Sequence, residues 1–222
     1  MTTTGDPFWR RCSAVYDQRA EEYDGWFEES LLFDIERHAL AGLATPLAPP
    51  KFEIGVGPGR FAAALGVHLG LDPARAPLHL AAQRGISVCQ GIGEELPLAT
   101  NRLGTLLLLF TLCFTEEPQL VLAECHRCLR PGGHLVLGII PAASPWGAAL
   151  AAKGEAGNPY YRHARFRDPQ TVTHWLKEGG FVIRELRSTL RQSPQKLTDF
   201  ETSQPGICPE AGFTVIVAAK EE

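Results

Sequence analysis

Apolar positions along the chain fall into three regimes. Over residues 8–43 they recur at helical spacing: Tyr16, Ala20, Tyr23 and Phe27 follow one another, and the run LLFDIERHALAGL continues the pattern. The stretch TPLAPP (45–50) then breaks any helix, because prolines lack an amide donor and crowd the preceding turn.

From Lys51 short apolar runs alternate with helical segments. Strands are predicted at 51–55 (KFEIG), 67–71 (VHLGL), 86–90 (ISVCQ), 105–110 (TLLLLF) and 134–140 (HLVLGII). Helices are predicted over 60–65, 72–84 and 117–129, the last stopped by a turn at Pro131-Gly132-Gly133. TLLLLF has almost no polar position, as a strand covered on both faces requires. Strands separated by helices imply right-handed crossovers and a parallel sheet.

The last third changes again. A helix near 169–178 ends at Gly179-Gly180, and FVIRELRSTL (181–190) and GFTVIVAAK (212–220) read as two more strands. No helix separates them, so they are expected to pair antiparallel. A connection of that length inside a compact domain usually covers a site. The expected fold class is α/β, doubly wound and Rossmann-like, with a mostly parallel seven-stranded sheet, an antiparallel C-terminal edge strand and N-terminal helices.

Composition narrows the partners. The 222 residues carry a net charge of −4 and are 45% hydrophobic, which suits one domain with one sizeable core. No Lys/Arg block is present, so neither nucleic acid nor a membrane surface is an expected partner. No apolar run approaches the roughly 20 residues of a membrane span. The start, MTTTGDPFWRRC, has no apolar core of a secretory signal, so the expected location is cytoplasmic. Of the six cysteines, Cys89 and Cys113 read as buried small hydrophobes, and Cys125 and Cys128 as one face of a helix. No second cysteine pair or histidine partner completes a zinc site, and no metal is expected.

The densest chemistry lies at the first strand-to-helix turn, Glu53-Ile54-Gly55-Val56-Gly57-Pro58-Gly59-Arg60-Phe61. Glycines there let the backbone approach a ligand closely, and the helix N-terminus behind them offers free N–H groups. A dinucleotide fingerprint, G-x-G-x-x-G, would need glycine where Arg60 stands. The motif is instead G-x-G-x-G preceded by an acid. Asp72 ends the second strand, where a carboxylate can take both hydroxyls of a ribose. Asp72-Pro73 also has the form of a helix cap, and the two roles are compatible.

On these residues the chain resembles the class I S-adenosylmethionine-dependent methyltransferases, most closely the small bacterial type 11 enzymes. The resemblance runs from about Tyr16 to Lys220. It is carried by YDQRAEEYDGWF, EIGVGPGRF, GLDPA, QGIGEELPL, LCFTEEPQLVLAECHRCLRPGGHLVLGII and SPWG…NPYYRHARF…GGF.

The resemblance implies S-adenosylmethionine as cofactor and a role for each matching position. Glu53, Gly55, Gly57 and Gly59, with Arg60 beside them, would shape the pocket for its methionine part, and Asp72 would hold the ribose. Gly91, Ile92, Gly93 and Glu94 would lie along the adenine, and Thr111 and Leu112 would floor the site beside the sulfonium. Two positions depart from the family: Ile92 stands where Asp or Thr is frequent, and Leu103-Gly104 where Phe-Asp is usual. The implied organisation is one methyltransferase domain over 1–222. It comprises a helical cap (1–50), a cofactor-binding core (51–140) and an acceptor-covering segment with the C-terminal strands (141–222).

Methyl transfer from a sulfonium is an in-line displacement that needs no protein nucleophile; holding donor and acceptor together contributes roughly 7–11 kcal/mol. Aromatic rings beside the sulfonium add about 0.5–2 kcal/mol each. Tyr16, Tyr23 and Trp26 are candidates, although the same spacing serves plain helix packing. Tyr160, Tyr161 and Arg165 are candidates for a small-molecule acceptor, with Arg162 and Arg165 suited to an acidic one and His163 to proton removal. Glu124 and Arg127, three apart on a helix, read as a surface ion pair, and Trp146 and Trp175 as core. A non-catalytic cofactor-binding module and a nicotinamide-dependent oxidoreductase are the alternatives, the second disfavoured by Arg60.

Overall fold

A computed structural model of the chain describes residues 5–221; residues 1–4, part of the start read for a leader, and residue 222 lie outside the described residues. Three helices come first: α1 (Phe8–Gln18), α2 (Ala20–Gly25) and α3 (Leu31–Ala41). α1 buries Phe8, Cys12 and Val15 at helical spacing. α3 starts where the Ser30 side chain accepts a hydrogen bond from the Phe33 N–H at 3.2 Å.

The alternating region follows as β1 (Lys51–Ile54), α4 (Arg60–Leu65), β2 (Leu69–Asp72), α5 (Arg75–Gln83), β3 (Ser87–Gln90), β4 (Leu103–Leu109), α6 (Pro118–Cys128) and β5 (Leu129–Ile139). The chain ends with α7 (Pro145–Glu155), α8 (Pro169–Glu178), β6 (Phe181–Thr189), β7 (Gln204–Pro205) and β8 (Phe213–Lys220).

All eight strands join one sheet in the order β3-β2-β1-β4-β5-β8-β6-β7. From β1 the chain steps outward to β2 and β3, then returns to place β4 on the other side of β1. That reversal opens a crevice beyond the carboxyl ends of β1 and β4, the general position of ligand sites in such sheets. Every residue of β4 is buried. Leu106 and Leu108 face a layer with Val121, Leu122 and Leu176, while Leu107 and Leu109 face Ile35, Phe61 and Leu78.

The sheet differs from expectation in two respects. It has eight strands rather than seven, because the connection between the last two predicted strands contributes the two-residue β7. The final strand, β8, is antiparallel as expected, but it lies between β5 and β6 rather than at the edge. Its composition explains this: all of β8 except Lys220 is buried, whereas β6 is half-exposed along its middle. A strand without a polar side gains by being flanked on both edges and covered on both faces.

Pro131-Gly132-Gly133 is a bulge within β5 rather than a turn before it. Register jumps from Leu103 opposite Leu129 to Thr105 opposite His134, and Gly132 absorbs a φ of +71°. α7 was not anticipated. Its small residues give little apolar periodicity, but Ser144 caps it by accepting from the Gly147 N–H at 3.0 Å, with Pro145 in the first turn.

Cys125 and Cys128 are buried on α6, whereas Cys89 and Cys113 are only half-buried; all six cysteines are free thiols. Trp146 is buried, with its Nε1–H donating to the Gln192 carbonyl at 2.8 Å, and Trp175 is half-buried against the core. Glu124 and Arg127 do more than pair on the surface. Glu124 accepts from the Leu96 N–H at 2.8 Å, and Arg127 donates to the carbonyls of Leu96 and Leu98 at 3.1 and 2.8 Å. Together they pin the loop after β3 to α6. Among the described residues no helix is long and apolar enough to cross a membrane.

Candidate functional site

The crevice is a cavity walled by the β1–α4 turn, the ends of β2 and β4, and the loop after β3. It is roofed by Trp9, Ser13 and Tyr16 of α1, Tyr23 of α2, and Phe27. The glycines of the turn serve two purposes. Gly55 (φ +73°) and Gly59 (φ +81°) are needed for close packing: a Cβ on Gly55 would run into the Thr111 side chain, and one on Gly59 into Ile86 at 2.5 Å. Gly57 (φ +50°) is different. A Cβ there would meet nothing nearer than the Tyr23 ring at 3.8 Å, so the space above its backbone is open to the cavity.

Asp72 closes the other side of that space. Its Oδ2 accepts from the Gly57 N–H at 3.0 Å and its Oδ1 from the Ala74 N–H at 2.8 Å. The predicted cap is thus a short turn before α5, which itself begins at Arg75. A carboxylate has about four lone-pair sites, so two backbone bonds orient it and leave acceptor capacity. Burial pushes the Asp72 pKa up to about 6, with the two N–H bonds opposing the rise.

Glu53 is buried at 2% exposure in the cavity wall, and its Oε2 has no hydrogen-bond partner among the described residues. Burial, reinforced by the charge of Asp72, holds its carboxyl well above the usual carboxylate range. A buried acceptor without a donor is costly, by about 1–3 kcal/mol, and a ligand donor would relieve it.

Arg60 touches the cavity but its guanidinium is already engaged. It donates to both oxygens of Asp24, at 2.8 and 2.7 Å, and to Glu28 at 3.0 Å. Arg84 adds a bond to Asp24 at 2.7 Å. These pairs fasten α2 to α4 and α5, and Asp17 fastens α1 by accepting from the Ala76 N–H at 2.8 Å. Asp24 is held below the usual carboxylate range by the two arginines, against the opposing effect of its partial burial. The roof is therefore clasped at neutral pH.

The other predicted positions divide. Ile92, Gly93, Glu94 and Thr111 reach the cavity wall, and Thr111 Oγ1 lies 3.2 Å from the Ile54 carbonyl. Gly91 and Leu112 lie behind the wall: a Cβ on Gly91 would meet Leu71 at 2.7 Å, and Leu112 is a core residue. Tyr16 and Tyr23 pack edge to face at 4.9 Å, Tyr23 and Trp26 at 5.3 Å.

The segment 158–166 holds the roof rather than lining the cavity. Tyr160 is buried against Trp26 and Tyr16 at 4.6 and 5.6 Å. Arg165 is exposed, with its guanidinium 4.2 Å above the Phe8 ring, and His163 meets the same ring edge-on at 6.3 Å. Neither these residues nor Tyr161 are among the wall residues. Burial and the nearby Arg162, Arg11 and Arg165 lower the His163 pKa, which keeps it neutral at pH 7.

Sequence reasoning missed the aromatic residues Phe27, Phe61, Phe110 and Phe114, which line the cavity from three segments: the turn after α2, α4 and the connection after β4. Glu36, at 8% exposure on the inner face of α3, is a buried acid outside the cavity wall, and its place beside Ile35 on the apolar face of the LLFDIERHALAGL run is the signal of that burial.

A family model described as a methyltransferase domain matches residues 52–137, from β1 into β5. An uncharacterised protein of Mycobacterium tuberculosis is 38% identical over 213 residues, covering 94% of this chain and 75% of its own length. A crystal structure from Thermotoga maritima, described as a methyltransferase and possible histamine N-methyltransferase, superposes with a TM-score of 0.87. It has 29% identity and covers 97% of this chain and 100% of the other. The geranyl diphosphate C-methyltransferase of Streptomyces coelicolor, solved with S-adenosylhomocysteine, shares the fold. Its TM-score is 0.67 at 11% identity, over 98% of this chain and 100% of its own. The chain belongs to the class I S-adenosylmethionine-dependent methyltransferases, and S-adenosylmethionine is its cofactor.

Proposed function

We propose that this methyltransferase transfers the methyl group to a small molecule bound under the α1–α2 roof, within a single domain spanning the chain. The observation that carries the reading is the open space above Gly57, bounded on one side by Asp72 and on another by the unpartnered carboxyl of Glu53. S-adenosylmethionine supplies an activated methyl group, an amino-acid end with an ammonium, a ribose diol and an adenine, and the residues present offer acceptors for the ammonium and the diol.

Asp72 accepts from the ribose hydroxyls with the lone pairs its two backbone bonds leave free. The Gly57 backbone gives the chain of the cofactor close approach, and Glu53 receives the ammonium. Ile92, Gly93 and Glu94 form the adenine side, an apolar and backbone surface because Ile92 carries no hydrogen-bonding group. Tyr23 and Thr111 face the reacting end; Gly55, Gly59, Gly91 and Leu112 keep the walls in place. Arg60 acts on the roof through Asp24. The roof favours a small acceptor: a polymer would have to displace helices held by four charge-assisted bonds at Arg60 and Arg84.

The reading is tested by calorimetric titration of S-adenosylmethionine and S-adenosylhomocysteine into wild type and Asp72→Ala, followed by a small-molecule screen for S-adenosylhomocysteine release. Micromolar binding that Asp72→Ala weakens at least tenfold supports it. Wild-type protein that gives no heat with either ligand overturns it.

A further inference from the structure

A second, smaller space lies beside the cofactor cavity. It is a chamber of about 20 Å³ bounded by Leu112 and Cys113 after β4, by Gly138, Ile139 and Ile140 at the end of β5, and by Arg167. That volume is room for about one water molecule and for no part of an organic ligand. Among the described residues Phe110 alone belongs to the walls of both spaces. Its ring stands 5.5 Å from that of Phe61, a wall residue of the cofactor cavity, and 5.0 Å from that of Phe213, which packs over Gly138 of the chamber. The ring is the partition between the two.

The partition is held under strain. Phe110 takes a left-handed φ of +56°, which bulky L residues rarely adopt. Neighbours on β5, β8 and the segment after β4 fix it there. Its N–H donates to the Gly138 carbonyl at 2.8 Å, its carbonyl accepts from the Cys113 thiol at 3.3 Å, and its ring stacks on Phe213. Gly138 makes the stack possible, because a Cβ there would meet the Phe213 ring at 2.9 Å. Strain that the surroundings over-determine in this way clusters at sites that act on a ligand.

The order of strands sets the ring against the reacting end of the cofactor. Asp72 ends β2, the glycine turn follows β1, and Phe110 follows β4, which lies next to β1. Neighbouring strands are about 4.8 Å apart, so Phe110 stands roughly two spacings from the ribose acid, with the glycine turn between them. We propose that Phe110 is a specificity-determining residue, whose ring limits the group carried on the cofactor's sulfur to about the size of a methyl. The inference rests on the methyltransferase reading and adds a limit on the transferable group. A larger substituent would run into the ring, and the neighbours that fix the ring leave it no easy way to yield. With the ring removed, the chamber opens into the cavity and the limit goes with it.

The test uses the full chain and four ligands, titrated by calorimetry. They are S-adenosylhomocysteine, which has no third substituent on sulfur, S-adenosylmethionine, and its S-propargyl and S-benzyl analogues. For wild type the affinity should fall by roughly tenfold or more from methyl to benzyl, with propargyl between. Phe110→Gly removes a benzyl group and leaves a residue at ease with positive φ, so its ratio of methyl to benzyl affinity should approach one. Phe110→Leu keeps apolar packing and should give an intermediate ratio. Wild type that binds the benzyl analogue as tightly as S-adenosylmethionine overturns the proposal, as does a preference that persists undiminished in a variant still binding S-adenosylhomocysteine. Loss of S-adenosylhomocysteine binding in both variants would make Phe110 a structural support and overturn the partition as well. Wild type that binds no S-adenosylhomocysteine is a separate outcome, which overturns the cofactor reading itself.

Discussion

The side chain of Asp72 accepts a hydrogen bond from the backbone N–H of Gly57 at 3.0 Å, across fifteen residues of chain. The bond joins the end of β2 to the turn after β1 and makes one unit of two features that in sequence look separate. The acid is oriented by the glycine amide, and the glycine, lacking a side chain, leaves room for what the acid binds.

The turn glycines should separate by phenotype. Gly57→Ala places a methyl group in open space, so the fold should survive with a loss of about 1 kcal/mol from the positive φ, while S-adenosylhomocysteine binding falls at least tenfold. Gly59→Ala drives a methyl into Ile86 and Ala81. It should lower thermal stability by more than Gly57→Ala does, typically by about 1–3 kcal/mol for overpacking. Thermal denaturation with and without S-adenosylhomocysteine distinguishes the two.

Asp24→Asn removes the charge that Arg60 and Arg84 share and loosens the roof. S-adenosylhomocysteine should then dissociate about tenfold faster, equivalent to ~1.4 kcal/mol, with little change in overall stability. Stopped-flow tryptophan fluorescence reads this directly, since Trp9 lines the cavity and Trp26 packs on Tyr160. An unchanged dissociation rate would show that the clasp does not limit exchange.

His163→Ala should leave methyl transfer within about twofold of wild type, because the ring lies against Phe8 and not on the cavity wall. A loss of a hundredfold or more, in the range typical of a general base, would assign His163 a role that its present position does not show.

Stability should fall as pH rises through Glu36. Its folded pKa, about 8, lies above the ordinary 4.5, so the folded state binds the proton more tightly. That contribution is complete below pH 4.5 and is lost as pH rises through 8. The slope approaches ~1.4 kcal/mol per pH unit between the two values. Glu36→Gln does not titrate, so its melting temperature should decline less than that of wild type between pH 5 and pH 9. Asp72 acts in the same direction over a lower range, ending near pH 6, and is common to both proteins.

The chain itself determined the parts whose signals are local. The acid-and-glycine turn, Asp72 at the end of the next strand and the apolar β4 each lie within a few consecutive residues. Backbone freedom, caps and burial periodicity act at that range. Periodicity states which face of an element is buried but not what meets it there. Only the tertiary structure could therefore place β8 inside the sheet, where its two apolar faces and both edges are covered. It alone joined Asp24 to Arg60 and Arg84, 36 and 60 residues away, and so turned an expected cofactor contact into a clasp. For the same reason it turned Tyr160 and Arg165 onto the roof helices, and buried Glu36 on the inner face of α3. Those outcomes follow from packing among elements distant in sequence, where the chemistry of a side chain is decided by the neighbours that folding brings to it.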